Sequence, residues 1–173
     1  MMKITTLTNP RQTILVTCRW QGKDNIITLD WHTPLSFNPM MYAISVGKTR
    51  YSLELIRKSG CFVVNFMSKD FEKEILFCGR HSGRNLDKFK ETGLEKEEGE
   101  KVECPRIKQA LGFLECRVVD EVEAGDHILF IAKVVNSDLK TRGKRLFHLW
   151  GDKFATTEGF GLVGANANGE KSK

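Results

Sequence analysis

The chain has 173 residues, a formal charge of +5 and a hydrophobic share of 40%. That share can supply a core, which excludes a disordered chain, and no stretch reaches the ~18 consecutive apolar residues of a membrane helix. The modest basic excess suits a nucleic acid, a phosphate-bearing cofactor or no particular partner.

The elements follow in chain order. Thr13–Arg19 (TILVTCR) alternates and is rich in β-branched residues, which predicts a strand. QGKDN reads as a turn, and Asn25–Thr33 (NIITLDWHT) as the returning strand of a hairpin. Pro34 and Pro39 then break the pattern. Met41–Gly47 (MYAISVG) is a third strand, apolar at nearly every position and so buried on both faces. In KTRYSLELIRKSG, Leu53 and Ile56 stand three apart, basic residues fill the last turn and Gly60 follows, which predicts a helix with a stop. Cys61–Met67 is a strand. SKDFEKEILFCG reads as a second helix, with Ser68 or Asp70 as N-cap and Gly79 as terminator. NLDKFKET is a short third helix and 93–105 is irregular. Phe113–Leu139 forms a long hairpin that turns near EAGD. KRLFHLWGDKFATTEGF is expected to hold a turn or short helix and then a last strand. Residues 164–173 (GANANGEKSK) read as a flexible tail, which leaves one domain over 1–163.

Strands and helices do not alternate regularly, so a doubly wound parallel sheet is not expected. The hairpins predict a mainly β fold with flanking helices around an antiparallel sheet, closed into a small barrel. No GxxxxGK[ST] loop occurs, and neither the usual dinucleotide loop nor the usual nucleotide-triphosphate loop is expected. The five cysteines show no CxxC spacing and the four histidines no HxxxH spacing, so neither a zinc site nor a secreted disulfide framework is expected. GLEKEEGEKVE and LKTRGKR read as solvated charged faces. MMKITTLTNPRQ carries no apolar segment of a secretory signal, so a cytoplasmic location and no membrane partner are expected.

Three stretches can carry chemistry. In SVGKTRYS a buried strand ends at Gly47 and a helix begins. Its unpaired N–H groups attract anions, and Lys48 and Arg50 crowd that positive end, which favours an external phosphate over the helix alone. CGRHSGRNLDKF packs Arg80, Arg84 and Lys88 around two glycines and a serine. Ser82 or Asn85 would cap the helix that follows, and Arg84 offers a planar fork for a phosphate. TLDWHTPLSF ends a strand with an aromatic ring, a carboxylate and an imidazole, a setting for a flat heterocycle. Aromatic residues lie mostly in apolar strands, not among exposed basic residues of a sheet face, so a nucleic-acid partner is not expected.

Taken in order, NIITLDWHTPLSFNPMMYAISVGKTRYSLELIRKSGCFVVNF, CGRHSGRNLDKF and GDHILFIAKV resemble the flavin reductase-like family of FMN-binding split-barrel proteins, which includes flavoredoxins. The resemblance spans Thr13–Asp138. It implies a six-stranded antiparallel split β-barrel with flanking helices, working as a homodimer with FMN near the interface. By this resemblance Thr28, Leu29, Asp30 and Trp31 border the isoalloxazine ring, and Ser45, Val46 and Gly47 run beside the ribityl chain. Lys48, Arg50 and Ser52 meet the phosphate. Cys78, Gly79, Ser82, Arg84 and Lys88 close over the same end, with Cys78 as a small lining residue. His127 falls where members carry a histidine near the nicotinamide or flavin, although a barrel-strand histidine with one hydrogen bond reads equally well. Backbone N–H groups of Thr28–Trp31, or Ser36, are candidates to stabilise charge near flavin N1. The activity implied is hydride transfer from NADH or NADPH to flavin N5, with a small-molecule or protein electron acceptor. An electron carrier that never oxidises NAD(P)H is the alternative. The chain departs from the family pattern at Asp30, Met40 and Ala132. Asp30 places a carboxylate where it would disfavour a reduced, anionic flavin or contact a partner group, and Ala132 would narrow the space beside the ring.

Overall fold

The computed structural model describes residues 4–157; the tail predicted over 164–173 and the domain limit at 163 lie outside them. A short helix α1 (Ile4–Thr8) leads into β1 (Arg11–Gln12), β2 (Ile14–Trp20) and β3 (Lys23–Leu29). Then come β4 (His32–Phe37), β5 (Met40–Gly47), α2 (Tyr51–Ser59) and β6 (Cys61–Phe66). A 3-10 turn opens α3 (Glu72–Arg80), and α4 (Lys88–Thr92), β7 (Lys96–Glu97) and β8 (Arg106–Ile107) follow. The long hairpin is β9 (Gly112–Ala124) and β10 (His127–Leu139), and the described chain closes with β11 (Leu146–Trp150) and β12 (Lys153–Thr156).

The main sheet has seven strands in the order β3-β2-β6-β9-β10-β5-β4, antiparallel throughout. β3 and β4 stand at opposite edges of that order yet only Asp30 and Trp31 separate them in the chain. The sheet therefore curls until its edges meet at this point, and the Trp31 carbonyl, accepting from Ser45 N at 2.9 Å, extends the β4–β5 ladder up to it. This is a split barrel. The strand expected over Asn25–Thr33 is two strands, which makes seven where six were expected. Pro34 does not end the pattern: it sits within β4, an edge strand, where a missing N–H costs no interior ladder bond and a register shift beside it absorbs the ring.

β1, β11 and β12 form a separate three-stranded sheet, so the segment expected as a turn or helix plus one strand is a hairpin. β7 and β8 pair inside and after the stretch expected as irregular. Gly60, at φ 67°, stops α2 and donates to Ile56 O at 2.8 Å, as its glycine predicts. Gly79 lies inside α3 and does not end it; the chain becomes extended at His81. Ser68 caps the 3-10 turn, and Asp87, not Ser82 or Asn85, caps α4 by accepting from Phe89 N and Lys90 N at 3.0 and 3.3 Å. The β9–β10 hairpin turns at Gly125 and Asp126, where EAGD places it.

Both faces of β2 are buried. Ile14 and Val16 face a cluster with Ile44, Val46, Phe62, Phe130 and the Leu53–Ile56 stripe of α2, whereas Leu15 joins Ile26, Ile75, Cys78 and Phe89. At the barrel rim, His32 Nε2 donates to the Gln12 carbonyl at 2.8 Å and Tyr42 Oη donates to Nδ1 at 2.6 Å. Burial pushes the His32 pKa below its usual 6.5. The unfolded chain thus takes up this proton at a higher pH than the folded one. Stability is full above pH 6.5 and falls as pH drops toward the depressed folded value. Thermal melts between pH 7.5 and 5 should show this fall, and His32→Gln should flatten it; an equal fall in the variant would assign it to other groups.

Candidate functional site

A cleft of about 300 Å³ opens where β3, the Asp30–Trp31 join, the end of β5, the start of α2 and the α3–α4 connection converge. Thr28, Leu29, Asp30, Trp31, Ser45, Gly47, Arg50, Ser52, Cys78, Gly79, Ser82, Lys88 and His127 line it. The elements explain the grouping. Along β5 side chains alternate, so Ser45 and Gly47 face the cleft while Val46 is buried in the core. Lys48 has the parity of Val46 and leaves the cleft: it pairs with Glu123 of β9. Arg84 does not line the cleft either. It lies 3.5 Å from Glu54 and its guanidinium stands 4.7 Å from the Tyr51 ring centroid. Val46, Lys48 and Arg84 are therefore not brought together with the others, and Ser36 on β4 is also outside the lining.

One end of the cleft is cationic and polar. Arg50 occupies the N-cap position of α2, whose first N–H groups have no intrahelical acceptor. Its guanidinium lines the cleft and makes no hydrogen bond or ion pair among the described residues, whereas Arg80, Lys48 and Arg84 hold Asp152, Glu123 and Glu54. Lys88 is buried and donates to the carbonyls of Ile26 and Cys78, both at 2.7 Å, which leaves one of its three N–H groups for the cleft. Burial lowers its pKa. Beside it, Asn25 Nδ2 donates to Ser52 Oγ at 2.8 Å, and Asn25 Oδ1 is buried with no partner among the described residues. Gly83 packs on that amide: a Cβ there would stand 1.9 Å from Oδ1.

The other end is flat and aromatic. Trp31 and His127 lie in contact there, with ring centroids 4.8 Å apart and planes tilted by 36°, and His127 Nδ1 lies 2.6 Å from Asp126 Oδ1. Thr28 Oγ1 donates to Ile75 O at 2.6 Å and ties β3 to α3. Gly79 lets the helix lie close, since a Cβ there would come within 3.3 Å of Thr28 Cβ. Burial pushes the Cys78 thiol up to about 11, so it lines the floor as a neutral group. Asp30 accepts from Thr13 Oγ1 at 2.7 Å through one oxygen and faces His148 Nδ1 at 2.7 Å through the other. Its carboxylate is thus held by β11 and the segment before β2, not left free against a ligand. Ala132 is buried in the barrel core and does not narrow the cleft.

Asn25, Tyr51 and His81 also line the cleft without having been singled out, as do Arg80 and Gly83 of the CGRHSGRNLDKF stretch. Asn25 was hidden because QGKDN reads as a solvated turn. A GxGxxG spacing occurs at 159–164 (GFGLVG), outside the described residues. Among the described residues no helix is long and apolar enough to cross a membrane.

Comparison with known proteins gives a consistent result. The model of the flavin reductase like domain matches residues 7–157. The chain is 40% identical over 114 residues to an uncharacterized protein of Archaeoglobus fulgidus, a match covering 66% of this chain and 64% of that protein. It is 28% identical over 127 residues to the reductase component of a 4-nitrophenol 4-monooxygenase/4-nitrocatechol 2-monooxygenase of Rhodococcus opacus, covering 73% of this chain and 65% of that protein. Among solved structures it is similar to a flavoredoxin of Methanosarcina acetivorans, with a TM-score of 0.83, 25% identity and coverage of 98% and 95% of the two chains.

Proposed function

The chain belongs to the flavin reductase-like family, and from that premise we propose that it is an FMN-binding oxidoreductase that takes hydride from NADH or NADPH and passes electrons to a small-molecule or protein acceptor. The observation that carries the reading is the polar end of the cleft. A guanidinium without a carboxylate partner, the open N-terminus of α2 and a buried amide oxygen without a donor meet there. These residues fit a phosphorylated flavin. The phosphate answers Arg50, the α2 N–H groups and Lys88, and a hydroxyl of the ligand answers Asn25 Oδ1. Trp31, Leu29 and Thr28 border the end that takes the ring.

A bound flavin supplies reversible two-electron acceptance, and the protein supplies binding, orientation and electrostatics. The chain's own tasks are then specific. Arg50 neutralises the anionic end, and the Thr28–Ile75 bond fixes β3 against α3 so that the ring floor keeps its shape. The Thr13 and His148 contacts draw the Asp30 charge away from the cleft. Trp31 and His127 frame the mouth by which a nicotinamide enters. A second copy of the chain completes this mouth in our reading. The apolar strip of Ile4, Trp31, Ala43 and Leu129 adjoins the cleft, and Phe37 is 97% exposed on the neighbouring edge strand.

The likeness to a flavoredoxin favours a second reading, an FMN-bound electron carrier that does not oxidise NAD(P)H. One experiment separates the two. Purified protein is supplied with FMN, and its absorbance near ~450 nm is followed anaerobically with NADH and then NADPH. Rapid bleaching by either nucleotide is the expected result. Bleaching by dithionite alone would overturn the reductase in favour of the carrier. Failure to retain any flavin would overturn both.

A further inference from the structure

Away from the flavin cleft, a second cleft of about 770 Å³ is lined by Arg19, Cys61, Glu98, Lys101 and Arg117, among others. Cys61 begins β6, and Cys104 lies in the segment just before β8. Their sulfur atoms are 3.1 Å apart, and Cys104 Sγ also lies 3.5 Å from the Cys61 carbonyl. Two thiol sulfurs this close need approach by only about 1 Å more to reach disulfide bonding distance. Only Cys61 reaches the cleft, whereas Cys104 is fully buried. The two residues therefore differ in position: Cys61, though largely buried, lines the cleft, and Cys104 stands against it from inside.

We propose that Cys61 and Cys104 form a peroxide-reactive thiol pair, with Cys61 as the sulfur attacked first and Cys104 as the thiol that resolves it into an intramolecular disulfide. The environment is consistent with that division. The hydrogen bond from Cys104 and the nearby Ser59 hold the Cys61 thiol below the usual range, and Arg117, its ladder partner on β9, adds positive charge. The same hydrogen bond and burial raise the Cys104 thiol. Cys18, Cys78 and Cys116 are buried singly, and burial raises each of them.

The chemistry balances with hydrogen peroxide as the two-electron oxidant. The Cys61 thiolate attacks one peroxide oxygen, the O–O bond breaks, and the departing hydroxide takes a proton as the first water. Cys61 is now a sulfenic acid. Cys104 sulfur attacks the Cys61 sulfur, the S–O bond breaks, and the leaving hydroxide takes the Cys104 proton as the second water. Two thiols have lost two electrons and two protons, and the peroxide has become two waters. A small-molecule thiol returns the pair to the dithiol by exchange.

The test uses the full chain, reduced, freed of reductant and then exposed to hydrogen peroxide. Thiols are alkylated after denaturation and located by mass spectrometry. The expected product is a monomer lighter by about 2 Da with a peptide joining residues 61 and 104, so that three of the five cysteines remain alkylatable. Five alkylated cysteines, a bond between any other pair or between two chains, or oxidation of Cys61 beyond the sulfenic acid in its place would overturn the proposal. In Cys104→Ser, a sulfenic acid trapped with dimedone should accumulate on Cys61. Trapping on Cys104 in Cys61→Ser, with none on Cys61 in Cys104→Ser, would reverse the roles. The cross-link in the unsubstituted chain decides the pairing even if a variant fails to fold.

Discussion

Arg50→Ala is expected to weaken FMN binding by about 10- to 100-fold, the loss of one or two charge-assisted hydrogen bonds to a dianion. It should leave riboflavin binding within about twofold, because the uncharged ligand never engages the guanidinium. The structure singles out this cation from its neighbours. Lys48 already holds Glu123, Arg84 faces Glu54 and the Tyr51 ring, and Arg80 holds Asp152. Arg50 alone of these four lacks a carboxylate partner among the described residues while it lines the cleft. Fluorescence titration with both ligands reads the difference directly, and Lys48→Ala serves as the comparison, with an expected change near none. Equal weakening of FMN and riboflavin would place the effect in folding or in the ring site. Unchanged FMN binding would move the phosphate elsewhere.

Glu115→Leu should give the largest loss of stability, about 3–5 kcal/mol, because it strands two backbone donors and leaves a buried guanidinium only its outer partners, Glu97 and Glu100. Glu115 is fully buried on β9. It accepts from Glu100 N at 3.0 Å and Lys101 N at 2.7 Å, and Arg106 Nη1 lies 3.4 Å away. Arg106 in turn stands 4.5 Å from the Phe113 ring centroid and 3.0 Å from Glu100 Oε1. This one carboxylate therefore pins the acidic segment 98–104 to the barrel. For a chain of this size such a loss lowers the melting temperature by roughly 10 °C or more. Removing the charge on both sides, with Glu115→Leu and Arg106→Met together, should recover part of the loss but not all, since the two backbone N–H groups remain unpaired. A single variant that melts within about 2 °C of the parent chain would mean that the segment finds other acceptors.

The parts of this protein that were legible in its sequence are those set by local chemistry. Apolar alternation in TILVTCR and the hydrophobic run of MYAISVG marked strands because side chains on a strand repeat every two residues. Gly60 marked the end of α2 because only a residue without a Cβ takes φ 67° at no cost. The EAGD turn placed the long hairpin for the same reason. The resemblance carried by three ordered segments gathered most of the cleft lining, since the order of elements determines which loops share one end of a barrel.

What remained hidden depends on distant partners. The break at Asp30 and Trp31 was invisible because NIITLDWHT has the pattern of one strand; closure of the sheet on itself forces two. The roles of the basic residues were not readable either. Lys48, Arg50 and Arg84 look alike as letters beside a helix start, and only the positions of Glu123 and Glu54, from β9 and α2, decide which charges are already satisfied. For Asp30 the sequence left open a charge against the flavin or a contact with a partner group, and Thr13 and His148 are the partners it holds. The sequence by itself determined where most strands of the main sheet and helix α2 run, and, by resemblance, the family to which the chain belongs. Tertiary structure alone decided which cation is free to hold an anion and which two of the five buried cysteines touch, because a hydrogen bond or an ion pair is a matter of a few ångströms between groups far apart in the chain.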